Sequence, residues 1–226
     1  MVRNVFLLGR PGSGKSSVAS LMKMFAGDRG WLTHYTNDYE HLQKMFLQEK
    51  AECTPLERRN FRPTGPEECN GFNVIKFSVL GKVLEKMRKE VEEVKSESSE
   101  EDNILFLIEF ARDSYHDALQ LFGSNLLQDA HLLYLDVDLE SCIERNLRRS
   151  DHFVSDEIMT TYYREDDWSR VMYNLQHNWD KSVIRNSGTF QDLEKEVEKW
   201  VNNNIERIDG QIESKVVVAD SYITVG

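Results

Sequence analysis

The chain has 226 residues, 40% of them hydrophobic, which allows one sizeable core and a small mobile subdomain. Its 39 acidic and 28 basic side chains give a formal net charge of −11, which disfavours broad electrostatic attraction to nucleic acid or to an anionic membrane, so any phosphate must be caught locally. Cys53, Cys69 and Cys142 are odd in number and dispersed, and no apolar stretch approaches the roughly 20 residues of a membrane span. With a strand-like N-terminus that has no charged leader, these features lead us to expect reduced thiols in a cytoplasmic protein with no membrane segment.

The run VRNVFLL (residues 2 to 8) reads as a strand, and Val18, Leu21, Met22 and Phe25 have helical spacing. Between them lies GRPGSGKSS, residues 9 to 17. Gly9, Gly14, Lys15 and Ser16 fit GxxxxGK[ST], in which loop N–H groups converge on an anion and the new helix adds its positive dipole end. Gly9, Arg10, Pro11, Gly12, Ser13, Gly14, Lys15, Ser16 and Ser17 are therefore the expected triphosphate loop. In it Lys15 reaches the β and γ phosphates, the Ser16 hydroxyl ligates Mg²⁺, and Gly12 and Gly14 permit a backbone geometry that a Cβ would obstruct. A nucleoside triphosphate and Mg²⁺ are the expected ligands.

WLTHYT (31 to 36) reads as a second strand, followed by Asn37, Asp38, Tyr39 and the helical stretch EHLQKMFLQEK. Residues 51 to 73 hold three of the four prolines and two glycines and are expected to be an irregular excursion. Helical spacing resumes from Val74 to Lys95, and SESSEED then reads as a solvated acidic loop. NILFLIEF (103 to 110), short and almost wholly apolar, has the character of a central parallel strand covered on both faces. Residues 114 to 128 return to a helix, HLLYLDVD (131 to 138) to a strand, and LESCIERNLRR to a helix. KSVIRNSG (181 to 188) is a weaker last strand, and FQDLEKEVEKWVNNNI is a closing helix with Thr189 placed as its N-cap. This alternation predicts a three-layer αβα fold with a mostly parallel sheet of about five strands, its ligands sitting beyond the carboxyl ends of the strands. The core is expected over residues 1–210, with an acceptor-side excursion and helix at 51–102 and a lid at 150–170. Residues 211–226, with strand-like VVVAD and YITVG, have no placed role.

Three positions follow strands at the edge that holds the glycine loop. Asp38 either accepts a proton from an attacking hydroxyl or caps the helix that follows. Glu109 ends an apolar strand, where a carboxylate needs a cation: Mg²⁺ through water, or Arg112 three residues on. Arg145, Arg148 and Arg149 share one helix face, where they converge on one anion or pair in solvent with Glu140, Glu144 or Asp151. SDHFVSDEIMTTYYREDDWSR (150 to 170) reads as a lid that excludes water, with Arg164 and Arg170 as possible contributors. In the excursion Arg58, Arg59, Phe61 and Arg62 suit a base or sugar-phosphate acceptor, or a solvated turn. Tyr115 and His116 are weaker site candidates; the other histidines and Trp31, Trp168, Trp179 and Trp200 read as packing residues.

Together, FLLGRPGSGKSSVA, the Asp38-Tyr39 pair, IEFAR, LYLDVDLESCIERNLRR and IRNSGTFQDLEKEV resemble the P-loop kinases of nucleosides, nucleotides and related small molecules, over about 190 residues. The resemblance implies an ATP-dependent phosphotransferase on the P-loop NTPase fold. Lys15, Asp38, Arg145 and Arg149 would be its catalytic residues, and Ser16 with Glu109 its Mg²⁺ site. Asp38, Arg62, Glu109 and Arg112 would line the acceptor side, and the Asn186-Ser187-Gly188 turn would contact the adenine, through Asn186 and Gly188. Ile108-Glu109-Phe110-Ala111-Arg112 stands where adenylate kinases carry Asp-Gly-Phe-Pro-Arg, with a shorter Glu-to-Arg spacing, which argues against adenylate kinase itself. An aspartate after the second strand favours a hydroxyl acceptor, because a phosphate acceptor is already ionised. A small-molecule acceptor is the expected partner, most simply a nucleoside or nucleoside monophosphate. The alternatives are a polynucleotide 5′-hydroxyl kinase, although the acidic balance makes nucleic acid an unfavoured partner, and a regulatory nucleotide-binding protein. The chain has neither the NKxD nor the DxxG sequence of a GTPase switch.

Overall fold

Side chains on successive strand residues point to opposite faces, and the apolar run of each inner strand is divided between two cores accordingly. The computed structural model describes residues 1–64, 71–99, 102–149, 154–174 and 179–208. Cys69, the start of the expected lid (150–153) and the tail at 211–226 lie outside these. Strands β1 (Val2–Leu8), β2 (Leu32–Asn37), β5 (Ile104–Phe110), β6 (Ala130–Asp136) and β7 (Asp180–Arg185) form one parallel sheet in the order β2-β5-β1-β6-β7. From β1 and β5, Phe6, Leu8, Phe106, Ile108 and Phe110 enter one core, while Val5, Leu7, Leu105 and Leu107 enter the other. Every residue of β5 is buried, as its composition predicts.

The second core is closed by α1 (Lys15–Gly27) and α9 (Phe190–Asn204), which pack on each other and on the sheet. The other is closed by α2 (Asp38–Ala51), α3 (Ser78–Glu97), α4 (Tyr115–Gln120), α5 (Gly123–Leu127) and α8 (Trp168–Tyr173). The region expected as one helix over 114–128 is two, broken at Leu121 and Phe122, and Gly123 opens the second in the left-handed region at φ 71°. Helices α6 (Leu139–Leu147) and α7 (Asp156–Thr161) meet in a small third cluster around Val137, Cys142 and Met159.

The excursion at 51–73 is more ordered than its prolines suggest. A 3₁₀ turn (Leu56–Arg58) leads into β3 (Phe61–Thr64), which pairs antiparallel with β4 (Gly71–Val74). Phe61 and Phe72 of this hairpin pack edge to face at 5.2 Å and both meet Phe46 of α2. The hairpin is thereby fixed to the main core, because aromatic pairs of this geometry add to ordinary burial. Among the described residues no helix is long and apolar enough to cross a membrane.

Candidate active site

Because β1 ends at Leu8 in the middle of the sheet, the loop that follows it emerges between the carboxyl ends of β5 and β6. Gly12 and Gly14 have φ of 84° and 96°. A Cβ on Gly12 would strike the carbonyl of Cys142, and one on Gly14 the side-chain amide of Asn186, so both positions require glycine for conformation and for space. Helix α1 starts at Lys15 with Gly14 as its N-cap, and its open N–H groups face the loop. The Lys15 ammonium is buried and turned back on its own loop, donating to the carbonyls of Gly9 (2.9 Å) and Arg10 (3.0 Å). Burial lowers its pKa, a shift that the nearby Glu109 and Asp38 carboxylates oppose. The hydroxyl of Ser13 is buried without a hydrogen-bond partner, as befits a loop shaped to receive an anion.

Glu109 sits opposite Asn37 in the β2–β5 register. Its Oε1 accepts from the Ser16 hydroxyl at 3.2 Å and its Oε2 from the Tyr35 hydroxyl at 2.5 Å. Burial, reinforced by the Glu109 charge, raises the Tyr35 pKa well above its ordinary value, so Tyr35 stays a donor. Ser16 and Glu109 thus form a hydroxyl and carboxylate pair at the mouth of the loop, the all-oxygen donor set suited to Mg²⁺ carried by a triphosphate.

The partner of Arg112 is Asp38 rather than Glu109. Arg112 Nη1 lies 2.5 Å from Asp38 Oδ2, both are largely buried, and the same oxygen accepts from the Ala111 amide at 3.2 Å. Burial is the largest influence and opposes the Arg112 charge, but the Asp38 carboxylate together with Tyr163 and Tyr162 outweighs it and raises the Arg112 pKa. Arg112 Nη1 also donates to the carbonyl of Ala111 and Nη2 to that of Leu80, while its Nε is buried without a hydrogen bond; the arginine positions Asp38 and does not line the cavity onto which Asp38 opens. Asp38 is the first residue of α2, and the cap is Asn37, whose side chain accepts from the Glu40 amide.

Lys15, Ser16, Asp38, Glu109 and Arg149 line one cavity of ≈ 440 Å³, together with Pro11, Tyr35, Tyr39, Phe72, Asn73, Phe77 and Tyr163. That volume lies within the range of roughly 300–1,000 Å³ typical of ligand pockets. The other arginines of the α6 group diverge. Arg145 donates to the carbonyl of Asn186 at 2.8 Å, and Arg148 pairs with Glu144 in solvent. Asn186 itself is buried and donates to the carbonyl of Ser13, bracing the loop from behind, while Gly188 is exposed. Arg62 is exposed on β3 and does not reach the cavity, and Arg59 is tied to the carbonyl of Thr54. Arg164 and Arg170 are exposed and do not line it either. Arg10 leaves the loop to donate to the carbonyls of Tyr163 and Arg164 and to meet Asp166 at 3.5 Å.

Sequence reasoning missed Tyr35, Asn73, Tyr115, Asp166 and Asp167 as parts of the site or its frame. Tyr115 was a weak candidate for chemistry, yet it is fully buried and its hydroxyl accepts from the Gly9 amide, so it supports the loop. Asp167 accepts from the amides of Tyr115 and His116, joining the expected lid to α4. The acidic pair within REDDW was the available clue, because adjacent carboxylates in a half-buried aromatic segment need donors.

A glycine-rich loop between β1 and α1, an acidic residue near the end of the neighbouring strand and a parallel sheet ordered β2-β5-β1-β6-β7 together make a three-layer αβα fold of the P-loop type. Two solved structures share that architecture over nearly the whole of both chains. A sugar kinase from Janibacter sp. has a TM-score of 0.51 and 13% identity, covering 89% of this chain and 95% of its own. A gluconokinase from Sinorhizobium meliloti has a TM-score of 0.52 and 11% identity, covering 89% and 92%. The sequence matches no described protein family and no curated protein.

Proposed function

We propose that this protein transfers the γ-phosphoryl group of ATP to a hydroxyl of a small-molecule acceptor, a nucleoside in preference to a nucleoside monophosphate. The observation that carries this reading is that Asp38 and the phosphate-loop group Lys15, Ser16 and Glu109 open onto the same cavity. The loop amides and Lys15 would hold the triphosphate, with Arg149 on the same side. Ser16 and Glu109 would hold Mg²⁺, which when bound supplies charge neutralisation on the phosphates. Asp38, fixed through Oδ2, accepts the proton of the attacking hydroxyl while the acceptor oxygen bonds to phosphorus and ADP leaves. A monophosphate acceptor would need a cation on the acceptor side. The cationic lining residues are Lys15, which is tied to the loop carbonyls, and Arg149, whose charge acts on Lys15, whereas Asp38, Glu40 and Glu109 give the cavity an excess of carboxylates. The basic residues Arg59 and Arg62 do not form a groove into the cavity, which counts against a polynucleotide substrate.

The test is ADP release from Mg²⁺-ATP over a panel of nucleosides, nucleoside monophosphates, polyols and short oligonucleotides, with Lys15→Ala and Asp38→Asn alongside. Transfer to a hydroxyl acceptor is expected, abolished in Lys15→Ala and lowered in kcat by about a hundredfold to ten-thousandfold in Asp38→Asn. Full turnover in Asp38→Asn would mean an acceptor that is already ionised. ATP binding with no transfer to any acceptor would overturn the kinase reading.

A further inference from the structure

Among the described residues, one polar side chain on the hairpin side of the cavity has a buried atom without a partner. Asn73, on β4 of the hairpin, lines the cavity and is only 6% exposed, and its Oδ1 is buried with no hydrogen bond. A buried carboxamide oxygen without a donor is unfavourable for folding and contributes nothing to the hairpin. Its neighbours are aromatic and apolar. Tyr39 stacks on Phe72 at 5.7 Å with ring planes 11° apart, and Phe77, 46% exposed, lines the same space together with Leu42, Val74 and Leu80.

Asn37, Glu40 and Gln43 also line the cavity, but a polyol lying against the Tyr39–Phe72 wall would leave the hydroxyls on that side unpaired, which is costly in a desolvated site. A planar heterocycle meets both requirements, because its faces stack on aromatic rings while its edge pairs with the carboxamide. A carboxamide presents one donor and one acceptor side by side, the pattern by which asparagine reads a nucleobase edge bidentately. We infer that Asn73 is a specificity residue that reads the base of a nucleoside acceptor, packed against the Tyr39–Phe72 wall with its sugar hydroxyl directed at Asp38. This rests on the kinase reading of the same cavity.

Binding of the common ribonucleosides, and of methyl β-D-ribofuranoside, which has the sugar without a base, is measured on the wild-type chain, Asn73→Ala and Asn73→Asp. ATP-dependent turnover of the same ligands follows. At least one nucleoside is expected to bind wild type about tenfold or more tighter than the methyl riboside, in line with a hydrogen bond made to an otherwise unpaired buried group. In Asn73→Ala that ratio falls by the part the carboxamide supplies, to what stacking on Tyr39 and Phe72 alone gives, and the order among the bases is lost. Asn73→Asp exchanges the amide donor for a second acceptor and reorders the bases, which a loss of folding would not do. Nucleosides that bind no tighter than the methyl riboside, or equally well to all three proteins, overturn the inference. Asn73-dependent nucleoside binding without transfer would overturn the kinase reading and leave base recognition standing. Transfer to polyols with no nucleoside bound would do the reverse.

Discussion

At the residue scale, Asp38 and Arg112 decide how the acceptor end of the cavity is built. Removing one member of a largely buried ion pair leaves the other charge without compensation, at a cost of about 3–5 kcal/mol. Arg112→Met is therefore expected to lower the unfolding free energy by roughly 3 kcal/mol, read from the urea midpoint at unchanged slope. Asp38→Asn also leaves the buried Arg112 charge without its carboxylate and should lower the urea midpoint as well, so its loss of turnover is read under conditions where the variant is folded. His131 supplies a pH dependence remote from the site. Its Nε2 accepts from the Trp200 indole at 3.3 Å and sits 2.7 Å from the Ser182 hydroxyl. Burial holds its pKa below the ordinary 6.5. Below pH 6.5 the unfolded chain therefore takes up a proton that the folded protein refuses, so stability falls with acidification until the folded pKa is passed. Urea midpoints between pH 7 and pH 5 should decline in wild type, with part of the decline absent in His131→Asn.

At the scale of elements, the most legible segments were those whose instructions are local. The β1–loop–α1 unit carries its glycines, lysine and serine in one stretch, β5 is continuously apolar, and Thr189 does cap α9, forming a capping box with Asp192. Thr189→Ala should cost about 1 kcal/mol, measured as a lower thermal midpoint with turnover retained, because α9 lies behind the sheet and away from the cavity. The hairpin was not legible, because β3 and β4 have four residues each, one contains Pro63, and their pairing is fixed by Phe61 and Phe72 packing on a distant Phe46. The alternative that paired Arg112 with Glu109 gives way to an Arg112–Asp38 pair for a related reason. The nearness of Arg112 to Glu109 in sequence suggested a pair, but the β2–β5 register sets Asn37 opposite Glu109 and so brings Asp38 to the Ala111–Arg112 corner. Such register is a property of the assembled sheet. The three arginines expected on one helix face do not share one, because α6 ends at Leu147: Arg145 turns to Asn186, Arg148 to Glu144, and only Arg149 lines the cavity.

At the scale of the whole molecule, the segment after α7 is tied into the frame at both sides of the sheet edge: Arg10 holds its backbone, and Asp166 and Asp167 bind Tyr134 and the start of α4. Arg10→Ala would cut the link between the phosphate loop and this wall. The expected outcome is a several-fold rise in KM for ATP with faster proteolysis across 162–168, since local openings follow the number of tertiary contacts that hold a segment. The neighbouring Trp168 has a parallel, optical role. Its indole stacks on Tyr134 at 4.8 Å with planes 5° apart, and its amide donates to Asp166, the carboxylate that faces Arg10. Trp31 and Trp200 lie in the core on the opposite face of the sheet. A phosphate-bearing ligand that shifts Arg10 is therefore expected to alter the surroundings of Trp168, on the core that Trp179 also packs against, and to leave Trp31 and Trp200 undisturbed. The protein carries its own fluorophore for nucleotide titration, and Trp168→Phe removes that signal.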